Sequence, residues 1–491
     1  MKIKYYTAPC GAGKSYQAAT RMINTPGRYI VVRDRVEAIA EYQTQLYGMA
    51  VAANVDVRIH SIVATKGQSV RLNVEEIPDK YNVHHAIILI THKALMMCDF
   101  SGFAGWSIII DETPVVIDRQ DLQTSQSRAF FEANYELENI KNDKDKPSGW
   151  SGVTLSKAGW DMAPADFEND DCFRMLRVFH ERVTAASTLP ESATQRMARR
   201  SVDEVHRAVI GSLDEWSDMD DGRRWTWWSL WSPKQLKAFD SVEFMANAFD
   251  KSMTFEVLRN FNRDIEWIEV PLSAGRKFEN RKVVVRHYTD SHVATATLFD
   301  TEKGQGYLNA IAKHQAKDRQ IWMTNDRHAD ALSEMGGLKL KPHQAGSNQY
   351  ADQHAATCIY AVKPSSETRA MMHLLGVDPS VWTRSYEHEA ILQFVNRTSI
   401  RDPQSTATVT FTVYDKEQAD YLASYFRDQP HCEVSVEMID LGFAHVKRTK
   451  AGVAPRVLTV DEAEAKREAR KAQKTEAQRK RREALKPKPT E

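Results

Sequence analysis

The chain has 491 residues, long enough for two or three domains with substantial cores, and its hydrophobic content of 42% is ordinary. It carries no apolar run of membrane-spanning length and no basic-apolar leader, so a soluble cytoplasmic protein with no membrane partner is expected. Lysine and arginine (66) balance aspartate and glutamate (66), which argues against a whole-molecule pull toward nucleic acid and leaves that attraction to local patches. Cys10, Cys98, Cys172, Cys358 and Cys432 form no Cys-x-x-Cys pair, so neither a zinc knuckle nor an iron–sulfur cluster has its ligand set, and a reducing compartment is favoured.

In chain order, Lys2–Thr7 reads as a strand, Ala8-Pro9-Cys10-Gly11-Ala12-Gly13-Lys14-Ser15 as a phosphate-holding loop, and Tyr16–Met22 as the helix that follows. Gly11 and Gly13 let backbone N–H groups turn onto phosphates at the helix N-terminus. Lys14 reaches the β- and γ-phosphates, and the Ser15 hydroxyl is placed to bind Mg²⁺. Ala8 stands where the generic loop has glycine, and Ala12 lies between the two glycines. Next come a strand over Arg28–Arg33 leading into a helix from Val36 to Leu46, and a strand over Ala86–Ile90 followed by Thr91-His92-Lys93. The apolar run Trp106–Ile110 suits a central parallel strand and ends in Asp111-Glu112-Thr113-Pro114. Asp111 would hold Mg²⁺ through water, and Glu112 would orient and deprotonate the attacking water.

Residues 119–224 read as a mostly helical insertion, with Phe173, Leu176, Phe179 and Val183 as one stripe and Val205, Val209, Leu213 and Trp216 as another. The first αβ domain, over residues 1–118, is expected to resume at 225–269. Trp225, Trp227, Trp228 and Trp231 cluster at the return, where packing outweighs stacking on bases. A second αβ domain spans 281–446. Near its end Gln393, Arg397 and Arg401 recur every four residues, one helix face that could offer two guanidinium groups to a γ-phosphate. A basic tail occupies 461–491, with its arginines and lysines between Lys466 and Lys488, either a solubilising remnant or an electrostatic arm.

Ala8 to Ser15 resembles motif I of superfamily 2 helicases and their DEAD/DEAH-box-like relatives, above all the divergent forms carried by phages and plasmids. Asp111–Pro114 resembles motif II, with Thr-Pro where Ala-Asp or Ala-His is frequent. Since that fourth position helps couple hydrolysis to domain movement, Pro114 puts coupling in question. Arg33 and Arg35 fall in a likeness of motif Ia, Thr91 and Lys93 of motif Ib, and Gly346 and Asn348 of motif V. In the family these line the nucleic-acid track, mostly through phosphates. Ser241–Ala248 is similar to motif III, centred on Ala246 and Asn247. Gln393–Arg401 resembles motif VI, with Arg397 at the finger position and Arg401 one residue beyond the family's spacing.

The resemblance implies two tandem RecA-like P-loop domains of α/β class with ATP in the cleft between them. Gly11, Gly13 and Lys14 would cradle phosphate, Ser15 and Asp111 serve Mg²⁺, Glu112 act as base, and Gln393 and Arg397 close from the other side. The expected function is ATP-dependent translocation on, or unwinding of, nucleic acid, DNA ahead of RNA, with replication, recombination or defence proteins as further partners. Two other readings remain: a nucleotide-gated nucleic-acid-binding module for origin recognition or phage defence, and a phage packaging ATPase.

Overall fold

A computed structural model describes residues 1–65, 68–122, 128–141, 147–162, 171–187, 207–221, 225–272, 278–342 and 349–443. Strands β1 (Lys2–Thr7), β2 (Arg28–Arg33), β3 (Arg58–Ser61), β4 (Ala86–Thr91) and β5 (Trp106–Asp111) open the chain. Their apolar runs are buried on both faces, as in Ile87–Ile90 and Ile108–Ile110, which is the pattern of a covered parallel sheet. The chain then leaves this sheet, and returns as β11 and β12 after five intervening strands. On one face, the helices Lys14–Asn24 and Val36–Ala53 bury Ala18, Ala19, Met22 and Ile23 against Ile39, Tyr42 and Leu46. Each fully buried large apolar side chain of this kind contributes about 1.5–3 kcal/mol.

The intervening strands are β6 (Ile117–Leu122), β7 (Tyr135–Lys141), β8 (Pro147–Leu155), β9 (Arg207–Gly211) and β10 (Trp225–Trp231). They form a separate antiparallel sheet of order β6-β10-β9-β8-β7. The expectation of a mostly helical insertion is therefore corrected. The helix Asp171–Ala186 does form, burying Leu176, Phe179 and Val183, but Val209 lies in β9, Leu213 in the turn after it, and Trp216 opens a 3₁₀ turn. Val205 lies outside the described residues. Strand β10 is buried along its whole length and alternates: Trp225 and Trp227 pack on the Phe131–Phe179 cluster, Trp228 and Leu230 on the first core. These indoles are core, not base-stacking platforms. Since β10 belongs to the antiparallel sheet, the parallel sheet resumes at Ser241, later than the expected Trp225.

Strands β11 (Ser241–Ala246) and β12 (Glu266–Glu269) complete a seven-stranded parallel sheet of order β12-β1-β11-β5-β2-β4-β3. The register sets Thr7 beside Ala246 and Met245 beside Asp111, so the ends of β1, β11 and β5 meet at one edge. Strands β13 (Arg281–Thr289), β14 (Ile321–Thr324), β15 (Leu338–Lys339), β16 (Ala355–Ile359), β17 (Val409–Asp415) and β18 (Cys432–Met438) form a second sheet, six-stranded and also parallel, of order β15-β14-β16-β17-β13-β18. Both sheets belong to the compact unit Met1–Leu441. Two RecA-like α/β modules thus stand in tandem. The helical stretch Ser366–Thr383 follows β16 in sequence, yet Met371, Met372, Val377 and Val381 are buried in the core of the first module. Lys466–Lys488, Gly346 and Asn348 lie outside the described residues.

Candidate functional site

The loop after β1 has the backbone that its glycines dictate. Gly11 and Gly13 sit at φ 77° and 79°, a region costly for any residue with a Cβ, and Gly13 is the N-cap of the helix Lys14–Asn24 with no side chain capping it. The helix therefore presents free amides, an anion-binding arrangement. Lys14 Nζ donates to the carbonyls of Ala8 (2.6 Å) and Pro9 (3.1 Å), so the ammonium lies back over the loop. Ala8 itself is buried. From the second module, the Tyr425 hydroxyl accepts the Cys10 N–H at 2.8 Å.

At the end of β5, Asp111 Oδ2 accepts from Ser15 Oγ at 2.8 Å and pairs with Arg33 Nη1 at 2.7 Å. Arg33 also stacks on Tyr42, whose hydroxyl donates to the Ser15 carbonyl at 2.8 Å. Arg33 was expected on a nucleic-acid track; its guanidinium is instead committed to Asp111 inside the cleft, because β2 lies directly beside β5. Glu112 adopts φ 67°, left-handed backbone in a residue that rarely takes it, and its N–H donates to the Met245 carbonyl. Burial, with Asp34 and Asp111 nearby, pushes its carboxyl up to about 8, against a smaller pull from Arg33 and Arg35. Half-buried His92, its pKa lowered by desolvation, donates from Nε2 to the Asp111 carbonyl at 2.9 Å.

The helix of Gln393 spans Glu389–Val395 and stops there, so the single helix face expected for Gln393, Arg397 and Arg401 does not exist. Asn396 caps the helix, and Thr398 starts a 3₁₀ turn Ser399–Arg401 by accepting the Ile400 N–H. All three side chains nevertheless line one cleft of about 380 Å³ with Cys10–Ser15, Arg33, Asp111, Glu112, Asn247 and Glu389. Arg397 is buried, donates to the carbonyls of Lys341 (3.3 Å) and Pro342 (3.1 Å), and is pushed down to about 10 by desolvation and by Arg35. Half-buried Arg401 donates its backbone N–H to the Thr398 carbonyl at 3.0 Å, and its guanidinium has no hydrogen-bond or ion-pair partner among the described residues. Its turn is held from below by fully buried Arg281, which donates to the carbonyls of Ser399, Asp402 (3.0 Å) and Ala407 (2.7 Å) and to Ser405 Oγ (2.9 Å).

The other expected residues are more dispersed. Arg35 pairs with Asp34 at 3.1 Å and acts electrostatically on Glu112 and Arg397, so it too belongs to the cleft side. The Thr91 hydroxyl caps the short helix His92–Met97 by accepting the Ala94 N–H, and Lys93 projects into solvent. Sequence reading passed over Glu389, whose two oxygens accept from Asn247 Nδ2 at 3.1 and 2.9 Å and one of which accepts from Gln393 Nε2 at 3.3 Å. Its only sequence signal was its place four residues before Gln393, where the motif VI likeness begins. Tyr425 had none.

The residues fit a nucleoside triphosphate with a hard divalent cation: helix-end amides with no side-chain cap, a lysine, an all-oxygen pair Ser15–Asp111, and, lining the same cleft, Arg401, whose guanidinium has no partner among the described residues. No protein-family model matches the chain, and no curated protein sequence does. Among solved structures, that of S. tokodaii Xpd4 is similar over 88% of this chain and 96% of its own, at 8% identity and a TM-score of 0.43. A DEAD box protein from the hyperthermophile Methanococcus jannaschii is similar over 89% of this chain and 88% of its own, at 9% identity and a TM-score of 0.27. A point variant of S. cerevisiae Dbp5 bound to RNA and ADP BeF3 is similar over 88% of this chain and 85% of its own, at 9% identity and a TM-score of 0.32. At these identities and TM-scores the likenesses carry no argument of their own, and the chemistry rests on the residues themselves.

Proposed function

We propose that the protein is an ATP hydrolase that acts on nucleic acid, as a translocase or helicase. The observation that supports it is the convergence, in one cleft, of the glycine loop, Ser15, Asp111 and Glu112 from the first module with Gln393, Arg397 and Arg401 from the second. The loop amides and Lys14 bind the β- and γ-phosphates once Lys14 swings off the Ala8 and Pro9 carbonyls. Mg²⁺, held by Ser15 and Asp111, would supply charge compensation to the phosphate oxygens. Glu112 takes the proton of the attacking water as the bond to the leaving ADP breaks. Arg401, whose guanidinium has no partner among the described residues, is the arginine that contacts the transferring phosphate, and Arg397, tied to two carbonyls, supports it. That order reverses the one drawn from spacing alone.

The nucleic-acid half of the proposal is supported by the likeness to motif Ib, where Lys93 is exposed. ATP turnover measured without nucleic acid and with single-stranded DNA, duplex DNA or RNA tests it: stimulation by one of them names the track. Turnover indifferent to all three would remove this half. The burial of Met371, Met372, Val377 and Val381 in the first core favours a second reading, a nucleotide-gated clamp of limited movement, which an ATP-driven strand-displacement assay separates from a motor.

A further inference from the structure

Pro114 offers no polar side chain for linking the phosphate site to the second module, yet its carbonyl accepts a hydrogen bond from Thr254 Oγ1. Thr254 lies in the first turn of the helix Met253–Phe261, and the N–H of its neighbour Met253 donates to Ser385 Oγ at 2.7 Å. Ser385 sits in a π-helical turn, Arg384–His388, between two pieces of one continuous helical arm. Before the turn, Val381 is buried in the first module's core, with Trp382 packed against it; after it, Ala390, Ile391, Leu392 and Phe394 are buried in the second. One turn beyond Ser385, Glu389 takes both hydrogen bonds from Asn247, which follows β11 of the first module. A wide turn placed where a helix passes from one core to another is a point at which it can bend, and such turns recur at functional sites.

We propose that this arm couples the phosphate site to the second module, with Asn247, Thr254, Ser385 and Glu389 as positioning residues that hold Gln393 and Arg401 over the glycine loop. The inference rests on the proposed ATP hydrolysis and says how this chain dispenses with a polar residue at Pro114. The backbone carbonyl, Thr254 and Ser385 form one link, and the Asn247–Glu389 pair a second. Both bias the same two-state element, the cleft, so losing either weakens closure more than nucleotide binding.

The test is an exchange of donor and acceptor. Asn247→Asp sets two carboxylates against each other, whereas the Asn247→Asp, Glu389→Gln double variant restores one donor and one acceptor with polarity reversed. Expected for Asn247→Asp is a nucleic-acid-stimulated kcat lowered about tenfold or more with KM for ATP within about threefold, and recovery to within about threefold of wild type in the double variant. Thr254→Val should show the same split more weakly. The rise in melting temperature given by a non-hydrolysable ATP analogue should be retained in Asn247→Asp and in the double variant, since nucleotide binding is little changed. A double variant no better than the single one, or kcat and KM changing together, would overturn the inference while leaving the hydrolase reading intact. No melting shift in the wild-type protein would instead sink the nucleotide site itself, and this inference with it.

Discussion

Glu112 combines left-handed backbone with a carboxyl raised from its usual 4.5 to about 8 by burial and by Asp34 and Asp111. Because the folded state holds this proton more tightly than the unfolded chain, the contribution to stability is complete below about pH 4.5 and is lost as pH rises through about 8. Glu112→Gln keeps the shape of the protonated acid. Its melting temperature should therefore exceed that of the native protein by a margin that grows between pH 5 and pH 8 and then levels off, while its ATP turnover is abolished and nucleotide affinity retained. A margin independent of pH would show that Glu112 is ionised at ordinary pH. At the two arginines the predictions diverge. Arg401→Ala should lower kcat about a hundredfold with little change in melting temperature, since a finger acts mainly on transition-state charge. Arg397→Ala should lower the melting temperature as well, because it orphans the Lys341 and Pro342 carbonyls and leaves a buried gap. Thermal scans paired with steady-state kinetics distinguish them.

Among the elements, what could be read from sequence was local. The β1–loop–helix unit was legible because glycine spacing, Lys14 and Ser15 are fixed within eight residues, and β5 because an unbroken apolar run ends in two acids. The insertion was misread because a four-residue spacing of apolar positions satisfies a helix as readily as residues from separate elements buried in a common core. Val209 and Trp216 meet there only through β9 pairing with β10 and Phe131 packing on Trp216, both distant in sequence. The motif VI likeness was half right for a similar reason: the three side chains converge, but the turn at Asn396–Ser399 brings Arg401 round, not a continued helix. Trp225 tests the corrected insertion. It is fully buried among Phe131, Phe179 and Trp216, with ring centroids at 4.9, 5.0 and 5.3 Å. Trp225→Ala should cost about 3–5 kcal/mol, read by urea unfolding, and a loss under about 1 kcal/mol would not fit this packing.

For the whole molecule, the two parallel sheets and the cleft between them matter more than any single motif. The first module supplies the phosphate-binding loop and both acids, the second the arginines and glutamine, and the arm 366–395 is buried in each core in turn. No helix among the described residues is long and apolar enough to cross a membrane. A site divided in this way should turn over only when both halves are present and opposed. The most direct test is steady-state ATP hydrolysis by the full chain, native and Lys14→Ala, with and without single-stranded nucleic acid. The account predicts Mg²⁺-dependent turnover that nucleic acid stimulates and that Lys14→Ala abolishes, since the β/γ charge is then uncompensated. Turnover at the native rate in Lys14→Ala, or none in the native protein under any of these conditions, would contradict it.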